Sequence, residues 1–179
     1  FDPQLKVMPV KGKTVAADDP VLTEIRQMEE VAVATETLED NALAVYGDRQ
    51  LMVKIKGVED NFDSLTHIRE ILVGNGAYEL SAADLDYAIP GIRVAELLGL
   101  GYYFKYPMKI FAPKREGQLN MADPSEGFVE EDLFSPGVLF NVKQAKYDKN
   151  YILTNIPFAR RLFDEQGRVS ALELRLKQG

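Results

Sequence analysis

Apolar positions along the chain fall into short runs, and their spacing switches between a strand period and a helix period. Leu5-Lys6-Val7-Met8-Pro9-Val10 is mostly apolar and is closed by a Lys11-Gly12-Lys13 turn. It predicts a strand, at a sheet edge because Pro9 has no N–H to give to a ladder. Asp18-Asp19-Pro20 then predicts a helix start, with Asp19 as cap and Pro20 in the first turn. Val21, Ile25 and Met28 follow at helical spacing, with Leu22 beside them. Val31–Thr35 predicts the next strand. The end of the chain repeats that order. Tyr151–Ile156 reads as a strand, and Pro157 starts a helix with an apolar face of Phe158, Leu162 and Phe163 that Gly167 breaks. Leu172, Leu174 and Leu176 alternate with Glu173 and Arg175, the pattern of a half-buried strand.

Two strand–helix–strand units thus bracket the chain. Neither can bury its sheet face well alone, so they are expected to pack side by side into one α/β subdomain. The middle has a different texture. Ala42–Tyr46 and Leu51–Lys56 read as strands around a Gly47-Asp48 hairpin turn. Leu51, Val53 and Ile55 share one face there, and Met52, Lys54 and Lys56 the other. A short helix is expected from about Asp63, with Leu65, Ile68 and Leu72 on one face, and Asn75-Gly76 as a turn. Pro90 opens a helix carrying Val94, Leu97 and Leu98, which Gly99 terminates. Met108–Ala112 and Val138–Gln144 read as strands. Between them, Lys114–Leu133 is polar and acidic towards its end, lacks a clear period, and is long for a connection, which marks it as functional or mobile. The fold class expected is α+β, with residues 1–37 and 150–179 forming the bracketing subdomain and residues 38–149 a β-rich insertion.

Composition removes several chemistries. The chain has 179 residues, 46% of them hydrophobic and 27% charged, as in a folded globular domain. It has no cysteine, which excludes disulfides, zinc–thiolate sites and thiol nucleophiles. Its single histidine, His67, excludes multi-histidine metal sites. A net charge of −7 argues against nucleic acid, whose binding needs clustered Lys and Arg. The first residue is Phe1, and no stretch approaches the roughly 20 apolar residues of a membrane span. The chain therefore reads as a mature or excised piece of something longer.

The short motifs carry little. Gly12-Lys13-Thr14 resembles the tail of a phosphate-binding loop, but Val7 stands where the first glycine must be. His67 is placed mid-helix near Asp63 and Ser64, on a helix surface rather than in a pocket. Acidic pairs such as Asp18-Asp19, Glu59-Asp60 and Glu130-Glu131-Asp132 read as solvated turns, and Asp84-Leu85-Asp86 lacks the spacing of a calcium loop. Tyr102-Tyr103-Phe104 with Tyr106 reads as strand packing, with stacking on a sugar or base as the functional alternative.

Taken in order, several segments resemble the MacB-like periplasmic core domain of ABC-transporter permeases, the group that includes macrolide-efflux, lipoprotein-releasing and FtsX-like permeases. They are Phe1–Val7, then Ile55-Lys56-Gly57-Val58-Glu59-Asp60-Asn61-Phe62, then Ile89-Pro90-Gly91-Ile92-Arg93-Val94-Ala95-Glu96-Leu97-Leu98-Gly99. Met108–Pro113, Leu139–Val142, Tyr147–Leu153 and the Pro157–Phe163 helix complete the series. The resemblance implies a segment of a cytoplasmic-membrane protein lying in the periplasm, between the first and second transmembrane helices of a permease. It implies a porter-like subdomain of two strand–helix–strand units with a β-rich, sabre-like insertion. It implies no catalysis and no cofactor in this segment, a cytoplasmic ABC ATPase as partner, and a permease dimer. In lipoprotein-releasing relatives a hairpin between two late strands hooks a periplasmic lipoprotein chaperone. The positional counterpart is Lys114–Leu133, so that Lys114, Arg115, Leu119, Met121 and Phe128 become the expected partner contacts.

The function expected is therefore a non-catalytic extracytoplasmic domain that transmits ATPase-driven motion and contacts substrate or partner in lipoprotein release or envelope export. Phe1 and Gly179 should then lie at the same end of the fold. Two rival readings make different demands. A free-standing secreted glycan-binding module needs Tyr102, Tyr103 and Tyr106 in a concave exposed row. A carboxylate hydrolase needs two acids from distant segments facing each other across a cleft, one with a raised pKa.

Overall fold

Residues 31–46 form a single strand, and the rest of the fold is laid out along it. The computed structural model describes residues 1–115 and 124–178. In chain order its elements are β1 (Leu5–Val7), β2 (Val15–Ala16), α1 (Pro20–Arg26), β3 (Val31–Tyr46), β4 (Arg49–Val58), α2 (Phe62–Leu65), β5 (Leu72–Gly74), β6 (Ser81–Ala82), β7 (Leu85–Asp86) and β8 (Ile89–Pro90). There follow α3 (Ile92–Leu98), β9 (Met108–Pro113), β10 (Phe128–Leu133), β11 (Val138–Phe140), α4 (Ala145–Asp148), β12 (Tyr151–Asn155), α5 (Ile156–Phe163), β13 (Arg168–Val169) and β14 (Ala171–Leu176). The fold is mixed α+β, with one large sheet and few helices.

That sheet has 8 strands and runs β1-β14-β3-β4-β12-β8. One edge of β3 is shared between two neighbours: β14 lies along residues 31–37, and β9, which carries β10 outside it, lies along residues 43–45. The other edge pairs with β4 from Thr37↔Val58 to Tyr46↔Arg49. The expected boundary at 37/38 thus falls inside an unbroken strand. Strands from the chain ends (β1, β12, β14) and from the middle (β4, β8, β9, β10) share one sheet. The two bracketing units interleave, because β14 lies between β1 and β3, and β4 lies between β3 and β12.

The sequence reads two strands where β3 is one, because the acidic pair Glu39-Asp40 reads as a solvated turn. Here the polar run stays extended because β4 pairs along it from Glu39↔Lys56 to Asn41↔Lys54, the Glu39 N–H donates to Ser170 Oγ at 2.8 Å on the other edge, and its acids have cations to hand: Lys6 lies 3.7 Å from Glu39 and Lys13 3.4 Å from Asp40. The expected helix from Asp63 is shorter. It ends at Thr66, which is extended (φ −126°, ψ 168°) and whose hydroxyl donates to the Phe62 carbonyl. A 3-10 turn over Ile68–Ile71 follows. His67 therefore sits between two short turns, not mid-helix, and is strongly exposed, with Glu70 3.8 Å away. The strand expected over Val138–Gln144 is only Val138–Phe140.

α5 packs on one face of the sheet. Asn155 caps it, accepting from the Phe158 N–H at 2.8 Å, and Asp164 ends it in a left-handed conformation (φ 54°), ahead of the expected break at Gly167. Phe158 and Leu162 are fully buried there with Leu38, Ile55 and Ile152, each side chain contributing about 1.5–3 kcal/mol. A second apolar cluster around Phe62, Ile89, Phe140 and Leu153 takes in Phe1. A third, around Leu22, Leu172 and Leu174, seats α1.

β14 is buried on both faces rather than half-buried. Glu173 is wholly inaccessible and meets Lys56 of β4 at 2.9 Å. The Lys56 ammonium also lies over the rings of Phe1 (5.0 Å) and Phe62 (5.3 Å).

β1 and β14 are antiparallel, from Leu5↔Leu174 to Val7↔Leu172, and the Leu176 N–H donates to Gln4 Oε1 at 2.8 Å. The two ends of the described chain therefore lie side by side, while the Gly47-Asp48 turn lies at the far end of β3. Gly179 falls outside the described residues. Among the described residues no helix is long and apolar enough to cross a membrane.

Candidate partner-contact surface

Six residues of the Lys114–Leu133 segment form a strand, which corrects its reading as a connection without periodicity. Phe128–Leu133 is β10, paired with β9 in register from Phe128↔Pro113 to Leu133↔Met108. Its alternation was masked because Glu131, on the inward side between Val129 and Leu133, contacts a cation rather than apolar groups. Lys109, opposite Asp132, reaches Glu130 at 3.0 Å and Asp132 at 3.2 Å. Hydrogen bonds to these two carboxylates hold its ammonium above the ordinary lysine range. On the other side, Arg161 of α5 bridges Glu131 (3.6 Å) and Asp86 (2.6 Å).

The hairpin is also fastened at its loop end. The Lys114 N–H donates to the Gly127 carbonyl at 2.9 Å. Arg115 pairs with Glu165, a buried carboxylate that also meets Arg168 (3.4 Å) and the Thr14 hydroxyl (3.2 Å). Lys114 and Arg115 are exposed, and Phe128 is 41% exposed. Leu119 and Met121 lie outside the described residues. Of the five expected contacts, the structure thus places Lys114, Arg115 and Phe128 together at the loop end of the β9–β10 ladder. Glu165 and Arg161, which anchor that hairpin, were not singled out in the sequence. An acid–base spacing around Gly167 was the only local sign of Glu165, and nothing local linked Arg161 to β10.

The tyrosine cluster sits at the far end of the sheet, near the Gly47-Asp48 turn. Tyr102, Tyr103 and Tyr106 are about half exposed, at 47, 59 and 48%. Tyr106 stacks on Tyr46 with ring centroids 4.4 Å apart, and the Tyr46 hydroxyl accepts from the Lys105 N–H at 2.8 Å. The ring of Tyr103 lies against Gly137, where a Cβ would come within 2.5 Å of it. Two of the three rings thus spend one face on the protein itself.

Two acids from separate segments do approach each other. The Glu36 N–H of β3 donates to Glu59 Oε2 at 2.8 Å, beyond the end of β4. Burial, above all, raises the Glu59 carboxyl from its ordinary range, and the neighbouring Glu36 charge adds to this. Glu36 is held by Arg26 at 3.1 Å and Arg160 at 3.8 Å. The carboxyls are in contact, so no glycosidic bond fits between them as two-carboxylate hydrolysis requires. Among the described residues no group of three or more His, Asp or Glu is placed to hold a metal ion.

The chain shares its fold with the extracellular domain of the noncanonic ABC-type transporter YknZ from Gram-positive bacteria, at a TM-score of 0.61 and 8% sequence identity. The likeness covers 97% of this chain and 83% of that one. No protein-family model matches the chain, and no curated protein matches it by sequence.

Proposed function

We propose that this chain is a non-catalytic extracytoplasmic domain of a bacterial ABC-type permease, and that it passes motion generated by a cytoplasmic ATPase to partners or substrates outside the membrane. The observation that carries this reading is the fold likeness to a transporter extracellular domain over 97% of the chain. The adjacent chain ends support it, since a domain inserted between two membrane helices must return to where it began. In this reading β1–α1–β3 and β12–α5–β14 form the porter-like part of a MacB-like or FtsX-like permease. The permease works as a dimer, and its task is lipoprotein release or envelope export. The β9–β10 hairpin is the contact for a periplasmic chaperone or substrate protein, through Lys114, Arg115 and Phe128.

These 179 residues hold no cysteine, so a direct test is open once any cysteine elsewhere in the full-length protein is replaced. In cells making the full-length protein, Asp48→Cys at the exposed β3–β4 turn should react with a membrane-impermeant maleimide without lysis, and the protein should co-purify with an ABC-type ATPase. Labelling only after lysis would overturn the reading. Arg115→Glu with Phe128→Ala should leave ATPase co-purification intact and weaken capture of the outer partner. An unchanged partner yield would remove the hairpin from the proposal.

A further inference from the structure

The sheet face opposite α5 carries a row of three register-locked residues. Asn41 of β3 is paired with Lys54 of β4, and Lys54 with Tyr151 of β12. Cross-strand partners point to the same face, so these side chains stand next to one another. A cleft of about 610 Å³ opens over them, walled by Lys146 and Asn150 and bordered by Met52, which is 61% exposed.

Three features set this cleft apart. No carboxylate lines it, although the chain carries a net charge of −7. Its two lysines stand outside the ion pairs of the described residues and are seated on aromatic rings instead. The Lys54 ammonium lies 5.9 Å from the centre of the Tyr151 ring and the Lys146 ammonium 4.7 Å from that of Tyr147, and these two rings touch edge to face at 5.4 Å. A ring face steadies an ammonium without taking its N–H donors, as at Lys54, and Lys146, which also hydrogen-bonds the Tyr147 side chain, keeps the rest of its three donors for an acceptor. Finally, the nearby acids each have partners already: Glu39 meets Lys6 and the Tyr151 side chain, Asp40 meets Lys13, and Asp2 accepts from the Tyr147 hydroxyl.

We propose that the cleft over Asn41, Lys54 and Tyr151 binds an anionic group, phosphate or carboxylate, carried by a small hydroxyl-bearing ligand. The lysines supply charge-assisted donors to the anion. The amides of Asn41 and Asn150 suit hydroxyl groups, and the Met52 thioether offers an apolar border. The volume is that of a small-molecule site. This site is independent of the transporter reading.

The test is a ¹H–¹⁵N titration of the 179-residue chain at constant ionic strength. Inorganic phosphate, glycerol 1-phosphate and glucuronate are the probes, and glycerol and glucose the neutral controls. Saturable shifts confined to residues 41, 52–54 and 146–151 are expected with the anions and not with the controls. The phosphate and glucuronate arms tell which anion is preferred. Lys54→Gln, at a half-buried site, and Lys146→Gln, at an exposed one, should each keep the folded ¹H–¹⁵N spectrum and weaken binding about tenfold, and added salt should weaken it further. Lys11→Gln, outside the cleft, should bind as the parent does. Absence of cleft-localised shifts with all three anions would overturn the proposal, as would equal shifts in the Lys54→Gln/Lys146→Gln double variant.

Discussion

Lys56 and Glu173 show how much one buried pair can demand of its surroundings. Neither oxygen of Glu173 makes a directed hydrogen bond among the described residues, so the carboxylate depends on the charge of Lys56 at 2.9 Å. Removing one partner leaves a bare charge in the interior, whereas removing both leaves a site that apolar side chains can fill. Lys56→Met alone should therefore destabilise the fold by about 3–5 kcal/mol, and Lys56→Met with Glu173→Leu should recover most of that loss, as urea denaturation would show. Glu59 makes the opposite kind of contribution. Its carboxyl is raised above the ordinary range, so the folded protein holds the proton more tightly than the unfolded chain does. The resulting stability is present at low pH and is lost as pH rises through the raised value. Glu59→Gln keeps an acceptor for the Glu36 N–H and carries no charge. Its Tm should match the parent below the carboxylate range and exceed it at neutral pH. A constant difference across pH would contradict this.

Among the elements, two glycines explain why short sequence segments could suggest a whole fold. Gly57 lies in β4 directly beneath α5, where a Cβ would come within 2.6 Å of Ala159 Cβ and 2.8 Å of Ile156 Cα. Gly91 caps α3, where a Cβ would meet the Asp148 carbonyl at 2.3 Å. Both belong to the segments that resemble the MacB-like domain, and each marks a place where backbone touches backbone. Gly57→Ala should lift α5 from the sheet and cost about 1–3 kcal/mol, measurable as a fall in Tm. Elements with such local signals were legible: the Asp19 cap of α1, Pro157 in the first turn of α5, the Gly99 end of α3 and the β3–β4 turn. β3 and β10 were not, because their polar stretches are satisfied by Lys6, Lys13, Lys109 and Arg161 from distant parts of the chain. The Asn41–Lys54–Tyr151 row was invisible for the same reason. It exists only once β3, β4 and β12 are in register, and none of the three residues lies in a recognisable motif.

For the molecule as a whole, the sequence order of strands and helices was a better guide than any single motif. The strands and helices expected at the two chain ends are present, with the short strands β2 and β13 added among them. Their interleaving depends on the long-range pairing of β14 between β1 and β3, which no local pattern records. That pairing has a mechanical consequence. The chain enters beside Gln4 and leaves beside Leu176, at the same end of two adjacent antiparallel strands. A force that draws the two ends apart acts across the β1–β14 ladder rather than along it. Its hydrogen bonds are then loaded one after another, as in a zipper, and β1 should peel away at low force while the ladder between β3 and β4 remains intact. Single-molecule pulling through the two ends should show a small early extension that reverses on relaxation, ahead of the main rupture. Helices attached at those ends could thus separate by the length of a short strand before they begin to strain the body of the sheet.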